Sequence, residues 1–384
     1  MKRLFVGLVM NGLLCMGFAP TATAADLKVG LVTSLSGPAS SLGIAYAKGA
    51  RTALAYRPEI NGHKVQLLVL DDASDPSTAA RNAQKLIEED KVDVLIGAAT
   101  VPSTLAVASR GREAGTPLIA ISPVGLAGAE GAWTVTVVQP VGLMIGAVVE
   151  RMKAAGVKSV AYIGFADAAG DLFHDALVEN ASAVDIKVLA DERYARNDAS
   201  VTGQILKIMA RRPDAVLIGG TGTPGALPVL ALAERGYKGI VYGNHGMINA
   251  DFVRLAGAAA QGMLAPTGPV SVAEQLPPDS PTRAVSMDFR TVYQRVNAAP
   301  SSDAFSAYSF DAWLVFADAA ARALAKAEPG TAAFRSALRD AIVTGREIVG
   351  THGVYNFTPH SRYGVDKRAR VVVRLDQGKW KLVP

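Results

Sequence analysis

The sequence is poor in cysteine, poor in aromatics and free of long apolar runs. Cys15 is the only cysteine among 384 residues. Everything beyond it therefore lacks disulfides, and its stability must come from a packed core. Aromatic residues make up 6% of the chain and do not interleave with basic ones. Neither sign of charge dominates: 39 Lys and Arg face 34 Asp and Glu, thinly spread. With no basic stripe, nucleic acid is not an expected partner. Past the first 24 residues no segment reaches the ~18 uninterrupted apolar residues of a membrane helix. The mature chain is therefore not expected to insert into a membrane.

The first residues read as an export signal. Lys2 and Arg3 precede a short apolar run, Leu4 to Phe18, and Ala22-Thr23-Ala24 is an A-x-A cleavage pattern. Residues 1–24 are thus expected to be a signal peptide, with the mature protein in the periplasm. Leu14 stands before Cys15 where a lipoprotein carries a small residue, which argues against lipidation. About 360 residues remain, enough for two domains or lobes.

Along the remaining chain, short β-rich runs alternate with helical patterns. "LKVGLVTSL", "KVQLLVL", "VDVLIG" and "PLIAIS" are strands, and apolar residues at helical spacing lie between them. Asp75 followed by Pro76 is a helix start. The continuous apolar strands predict parallel sheets covered on both faces. The pattern restarts after Pro140 with "SVAYIG", "KVLADERY", "DAVLIG" and "GIVYGN". Two late helices, near 284–296 and 305–325, and a terminal hairpin around Asp376-Gln377-Gly378 follow a Pro-rich connector. The fold class is α/β, in two halves.

One phrase is written twice. "VDVLIGAATVPSTLAV" begins at Val92 and "PDAVLIGGTGTPGALPVL" at Pro213; aligned on LIG, Thr100 meets Gly222 and Pro102 meets Pro224. Each reads as strand, turn, helix. In isolation such a turn is ordinary α/β punctuation. In an open parallel sheet, however, ligands bind beyond the carboxyl ends of the strands. The following helix offers unpaired N–H groups and a dipole favouring an anion by roughly 0.3–1 kcal/mol. Thr100 and Ser103 in one half, and Thr221 and Thr223 in the other, add hydroxyls. We therefore expect each half to supply one wall of a binding cleft.

Five stretches carry a family resemblance: "VGLVTSLSGPASSLGIAYAKGARTAL", "VLDDASDPSTAARNAQKLI", "VLIGAATVPSTLAV", "PLIAISP" and "YSFDAWLV". Together they resemble the type I periplasmic binding proteins of the branched-chain amino acid (leucine/isoleucine/valine-binding) class. The resemblance implies two Rossmann-like lobes with parallel central sheets, joined by three hinge crossovers near Pro140, Ala265–Val270 and Ile348. It assigns 25–140 plus 268–347 to the N-terminal lobe and 141–267 plus 348–384 to the C-terminal lobe. It further implies a monomer that hands a small molecule to an inner-membrane ABC permease, and no cofactor.

The same resemblance places the ligand carboxylate on the turn Thr100–Thr104, helped by Ser122–Leu126, with the "SGPASSLG" loop bordering the cleft. The candidate ligand-binding residues are Ser36, Thr100, Val101, Pro102, Ser103, Ser122, Pro123, Val124, Ala169, Thr221, Gly222, Thr223 and His245, with Leu126 and Met247 as further apolar walls. Three departures from the amino-acid binders stand out. Val101 replaces an early hydroxyl, Ala169 replaces an aromatic residue before Gly170, and His245 replaces an acid in the "GNHG" turn. A buried ammonium needs a carboxylate partner. The matching turns offer only Asp167, whose direction the sequence does not show.

The expected ligand is therefore a small carboxylate without an amino group: an aromatic, keto or other hydrophobic acid, with His245 protonated against it. His245 also reads as an exposed turn histidine. Amino-acid binding and a ligand-sensing regulator are the alternatives. The other histidines read as surface residues. Asp71, Asp72 and Asp75 read as a helix start with Asp75 as cap rather than a metal site. Tyr308 and Asp311 share a helix face at the interlobe rim, and Trp313 packs in the core. No nucleophile or metal spacing points to an enzyme.

Overall fold

The computed structural model describes residue 1, residues 25–301 and residues 303–384. The expected leader, its cleavage pattern and Cys15 lie outside the described residues.

The first sheet is built from β1 (Leu27–Thr33), β2 (Glu59–Ile60), β3 (His63–Asp71), β4 (Val94–Gly97), β5 (Leu118–Ala120) and β6 (Thr134–Thr136), with α1 (Ser40–Tyr56), α2 (Pro76–Glu88) and α3 (Val101–Glu113) between them. Its order is β2-β3-β1-β4-β5-β6. All neighbours are parallel except the β2–β3 hairpin. β4 is buried along its whole length, as a strand covered by helices on both faces must be. Asp75 caps α2 by accepting Thr78 N at 2.7 Å.

The second sheet follows the same rule. α4 (Val141–Ala154), β7 (Ser159–Phe165), α5 (Ala168–Ser182), β8 (Lys187–Tyr194), α6 (Thr202–Arg211), β9 (Ala215–Gly219), α7 (Ala226–Glu234), β10 (Ile240–Tyr242), α8 (Ala250–Ala256) and β11 (Leu264–Thr267) succeed one another. The chain then returns to the first lobe for α9 (Arg283–Asn297), α10 (Ala304–Ala323) and α11 (Ala332–Ile342), and for the small hairpin β12 (Ile348–Val349) and β13 (Val354–Tyr355). It ends on the antiparallel pair β14 (Val371–Asp376) and β15 (Lys379–Val383). The second sheet runs β15-β14-β11-β10-β9-β7-β8.

α10 is the central beam of the first lobe. Trp313 is fully buried, its Nε1 donating to Arg57 O at 3.2 Å. α1 crosses α10 so closely that a Cβ on Gly49 would lie 1.9 Å from Ser306 O, so only glycine fits there. α11 is a third late helix beyond the two expected. Its apolar stripe, Phe334, Leu338, Ala341 and Ile342, is buried.

The last crossover falls later than the expected Ile348. Tyr355 and Phe357 pack in one core with Phe310 and Leu338. Thr136 N donates to Arg362 O. Residues 348–363 thus belong with the first lobe, and the chain joins the second sheet only at Val371. The resemblance set the crossover at Ile348, but the apolar side chains of this stretch pack in the core with α10 and α11.

Candidate ligand-binding site

Between the carboxyl ends of the two sheets lies a small cavity of about 40 Å³, lined by residues of both lobes. Its first-lobe wall is the start of α3. Thr100 caps the helix, its Oγ1 accepting Ser103 N at 3.2 Å. Thr104 Oγ1 accepts Ala98 N at 2.8 Å, donates to Thr100 O at 2.8 Å and lies 2.7 Å from Ser122 Oγ. These hydroxyls are committed to holding the turn. The N–H groups of Thr100 and Val101 have no protein acceptor among the described residues, and both residues line the cavity with Ser122 and Pro123. A helix of 13 residues stands behind them, so the wall suits an anion.

The second-lobe wall differs from the expectation. Ala169, Thr221 and His245 line the cavity. His245 is buried, with Nδ1 lacking any hydrogen-bond partner. Burial pulls its pKa down to about 4, so it is neutral at neutral pH. The expected protonated His245 is thereby corrected, and so is its reading as an exposed turn residue: no carboxylate stands beside it to offset the loss of hydration.

The cation of the site is Arg196, which the sequence reading missed. It lies in the loop after β8 and lines the cavity. Its Nε donates to Asp167 Oδ2 at 2.7 Å, and its guanidinium carbon sits 3.9 Å from the centre of the Phe165 ring. Among the described residues no protein acceptor takes its terminal Nη groups. Asp167 is fully engaged, since its other oxygen caps α5 by accepting Ala169 N and Gly170 N. It is therefore not a free partner for an ammonium group.

Aromatic faces, with Leu42, Ile121 and Val138, fill the remainder. Tyr46, Phe173, Phe305 and Tyr308 all line the cavity. Tyr46 OH is tied to Ile121 O at 2.5 Å, and Phe305 meets the Tyr46 ring edge-on at 5.5 Å. Phe173 lies one helical turn beyond Ala169 and packs 5.5 Å from the His245 ring. It supplies the aromatic surface that the Ala169-Gly170 pair lacks.

Several expected site residues lie off the cavity. Ser36 is exposed and bound to Asp71. Pro102, Ser103 and Val124 sit beside or beneath the α3 wall without lining it, because only the first residues of the helix face the cleft. Leu126 and Met247 are also outside the lining, and Met247 is fully buried in the second-lobe core. Gly222 and Thr223 meet the opposite lobe instead. Thr223 N donates to Ser41 Oγ at 3.3 Å, and a Cβ on Gly222 would lie 2.9 Å from that oxygen. The two copies of the phrase thus sit differently: the first lines the cavity through Thr100 and Val101, and the second lines it through Thr221 while Gly222 and Thr223 meet the opposite lobe.

Two further expectations change. Tyr308 is a fully buried wall residue rather than a rim residue. His352, expected on the surface, is completely buried, because the β12–β13 hairpin inserts it under α10. Asp311 accepts Thr351 N at 2.7 Å, His352 N at 2.9 Å and Tyr355 OH at 2.8 Å. Burial pushes its pKa up to about 6.

Two α/β lobes around one small, largely apolar cavity define a bilobal solute-binding protein. The periplasmic binding protein family matches residues 26–362, and the chain belongs to that family. Its fold is that of the type I, Leu/Ile/Val-binding proteins. An extracellular ligand-binding receptor from Rhodopseudomonas palustris is 39% identical, superposes with a TM-score of 0.90, and is covered over 100% of its length by 94% of this chain. The Leu/Ile/Val-binding protein homolog 3 of Brucella melitensis is 26% identical over 65% of this chain and 69% of its own. An R. palustris ABC-transporter solute-binding protein in complex with benzoate shares the fold at 22% identity, with a TM-score of 0.78 over 93% of this chain and 95% of that one. Among the described residues no helix is long and apolar enough to cross a membrane.

Proposed function

We propose that this protein is the periplasmic solute-binding component of an ABC uptake transporter, and that it binds a small aromatic or other hydrophobic carboxylate. The observation that carries this reading is the charge inventory of the cavity. It contains Arg196 and the free N–H groups opening α3, and no lining residue is acidic. A carboxylate finds partners there. An α-amino acid brings an ammonium group whose burial without a counter-charge is strongly unfavourable.

The aromatic faces favour a planar acid over a short aliphatic one. The benzoate complex of the R. palustris protein supports this choice only so far as the fold admits such a ligand. The neutral His245, with an unpartnered ring nitrogen, is suited to hydrogen-bond a polar substituent on the ligand. Closure of the lobes would bury the ligand and present both lobes to a permease.

The test is a thermal-shift screen of the protein lacking residues 1–24, against benzoate, phenylpyruvate, leucine and phenylalanine. A ligand that binds only the folded state raises the melting temperature. Shifts with the two acids and none with the two amino acids are expected. The opposite pattern would overturn the ligand class and leave the family unaffected.

A further inference from the structure

The three chain segments that cross between the lobes meet at one buried cluster, and that cluster touches the cavity wall. The wall residue is Tyr308. Its hydroxyl donates to Gln139 Oε1 at 2.5 Å, and Gln139 lies in the first crossing, between β6 and α4. Gln139 Nε2 donates to Ala369 O at 2.8 Å, and Ala369 lies in the third crossing, just before β14. The same Nε2 stands 3.4 Å from His352 Nδ1.

His352 completes the arrangement. Its ring stacks on Tyr308 with centroids 3.8 Å apart and planes 10° from parallel. Its Nε2 lies 2.9 Å from Ala304 O. A carbonyl only accepts, so Nε2 carries the proton and Nδ1 is left to accept from Gln139. The second crossing arrives at Gly268. A Cβ there would lie 1.9 Å from His352 Nδ1 and 2.8 Å from Gln139 Nε2, so no side chain fits while the cluster is intact.

A hinge works by concentrating backbone change in a few residues of the crossing segments. Here those segments are joined by hydrogen bonds and contact to one aromatic ring that faces the ligand. We infer that Tyr308, Gln139 and His352 couple occupancy of the cavity to the hinge angle, with Gln139 and His352 as positioning residues that touch no ligand and Gly268 as the space the coupling requires. The inference rests on the cavity being the ligand site. It holds for any ligand that contacts Tyr308.

The coupling is tested on the protein lacking residues 1–24, which carries no cysteine. Ile44→Cys on α1 and Val178→Cys on α5, both exposed positions, take spin labels, and interlobe distances are measured by pulsed EPR with and without benzoate. Tyr308→Phe keeps the ring and the stack and removes one hydroxyl bond. Gln139→Ala releases two crossings, and Gly268→Ala pushes on His352.

In all three variants the ligand-free distance distribution should broaden or shift relative to the unsubstituted protein. In Gln139→Ala and Gly268→Ala, benzoate affinity should fall about tenfold although neither position lines the cavity. Folded variants with the original distance distribution would overturn the inference, whatever their affinity. Tyr308→Phe keeps the test open if the other two fail to fold. The ligand-free distances read the hinge even if benzoate fails to bind the unsubstituted protein, a result that would count against the proposed ligand instead.

Discussion

Arg196 and Asp167 form a close ion pair at the second-lobe wall, Nε to Oδ2 at 2.7 Å. It engages the nearby carboxylate and leaves the terminal guanidinium nitrogens without a protein acceptor among the described residues. Arg196→Gln should weaken benzoate binding by about ten- to a hundredfold, the range for losing a hydrogen bond from a charged donor. Lysine at this position should restore only part of the affinity, because it lacks the planar fork. Isothermal titration of the three proteins checks this. An unchanged Kd in Arg196→Gln would remove the residue from the site.

The α3 wall can be probed one N–H at a time. Val101 is the first residue of α3, and Thr100 before it is extended, at φ −121° and ψ 154°. Proline is tolerated at both counts. Val101→Pro should therefore fold with little loss of stability and lower carboxylate affinity about tenfold. Thr100→Ala, in contrast, should cost about 1 kcal/mol of stability as a lost cap and change affinity less, because its backbone N–H remains. Denaturant melts paired with titrations separate the two effects.

Ser41 holds the lobes together from the first side. It accepts Thr223 N through Oγ at 3.3 Å and Asn249 Nδ2 through its carbonyl at 3.0 Å. Ser41→Ala removes only the first bond. At ~0.5–1.5 kcal/mol for such a bond, ligand dissociation should speed up about two- to tenfold, with association nearly unchanged. Stopped-flow fluorescence reads both rates. An equal change in both rates would mean that the contact forms before the ligand is enclosed.

The buried histidines make stability depend on pH. Burial depresses His245 to about 4 and His352 to about 3, while an unfolded histidine titrates near ~6.5. Between those values the unfolded state binds more protons, so stability falls as pH drops from about 7 toward 4. Asp311 acts in the opposite sense. Raised by burial to about 6, it takes up its proton in the folded state first, which favours folding as pH falls from 6 toward 4. Asp72 and Asp93, also raised by burial, act with Asp311. Asp71, Asp75, Asp214, Asp366 and Asp376 are lowered, and their contribution is lost with that of the histidines as pH falls, so a net loss is expected. Urea midpoints from pH 7 to 4.5 should decline, and His352→Gln should show a shallower decline. A slope that is the same in both proteins would refute the assignment.

The order of strands and helices was legible because each apolar run and each cap is local. Asp75-Pro76 opens a helix wherever it stands, and "VDVLIG" is long and apolar enough to need cover on both faces. The two lobes followed from that alternation, and the family from motifs that lie in these same local elements. Thr100, Val101, Ser122, Pro123, Ala169, Thr221 and His245 line the cavity because turns after parallel strands lie at the cleft.

What only the tertiary structure decided is how distant side chains meet. Arg196 comes from a loop with no pattern of its own, and Asp167 becomes unavailable only because that loop folds beside it. His352 looks like a surface residue until a hairpin carries it beneath α10, where lost hydration keeps it neutral. The same loss reverses the charge expected of His245. Periodicity reports which face of an element is apolar. It holds no record of which polar groups burial will bring together, and those groups set the charge of this cleft.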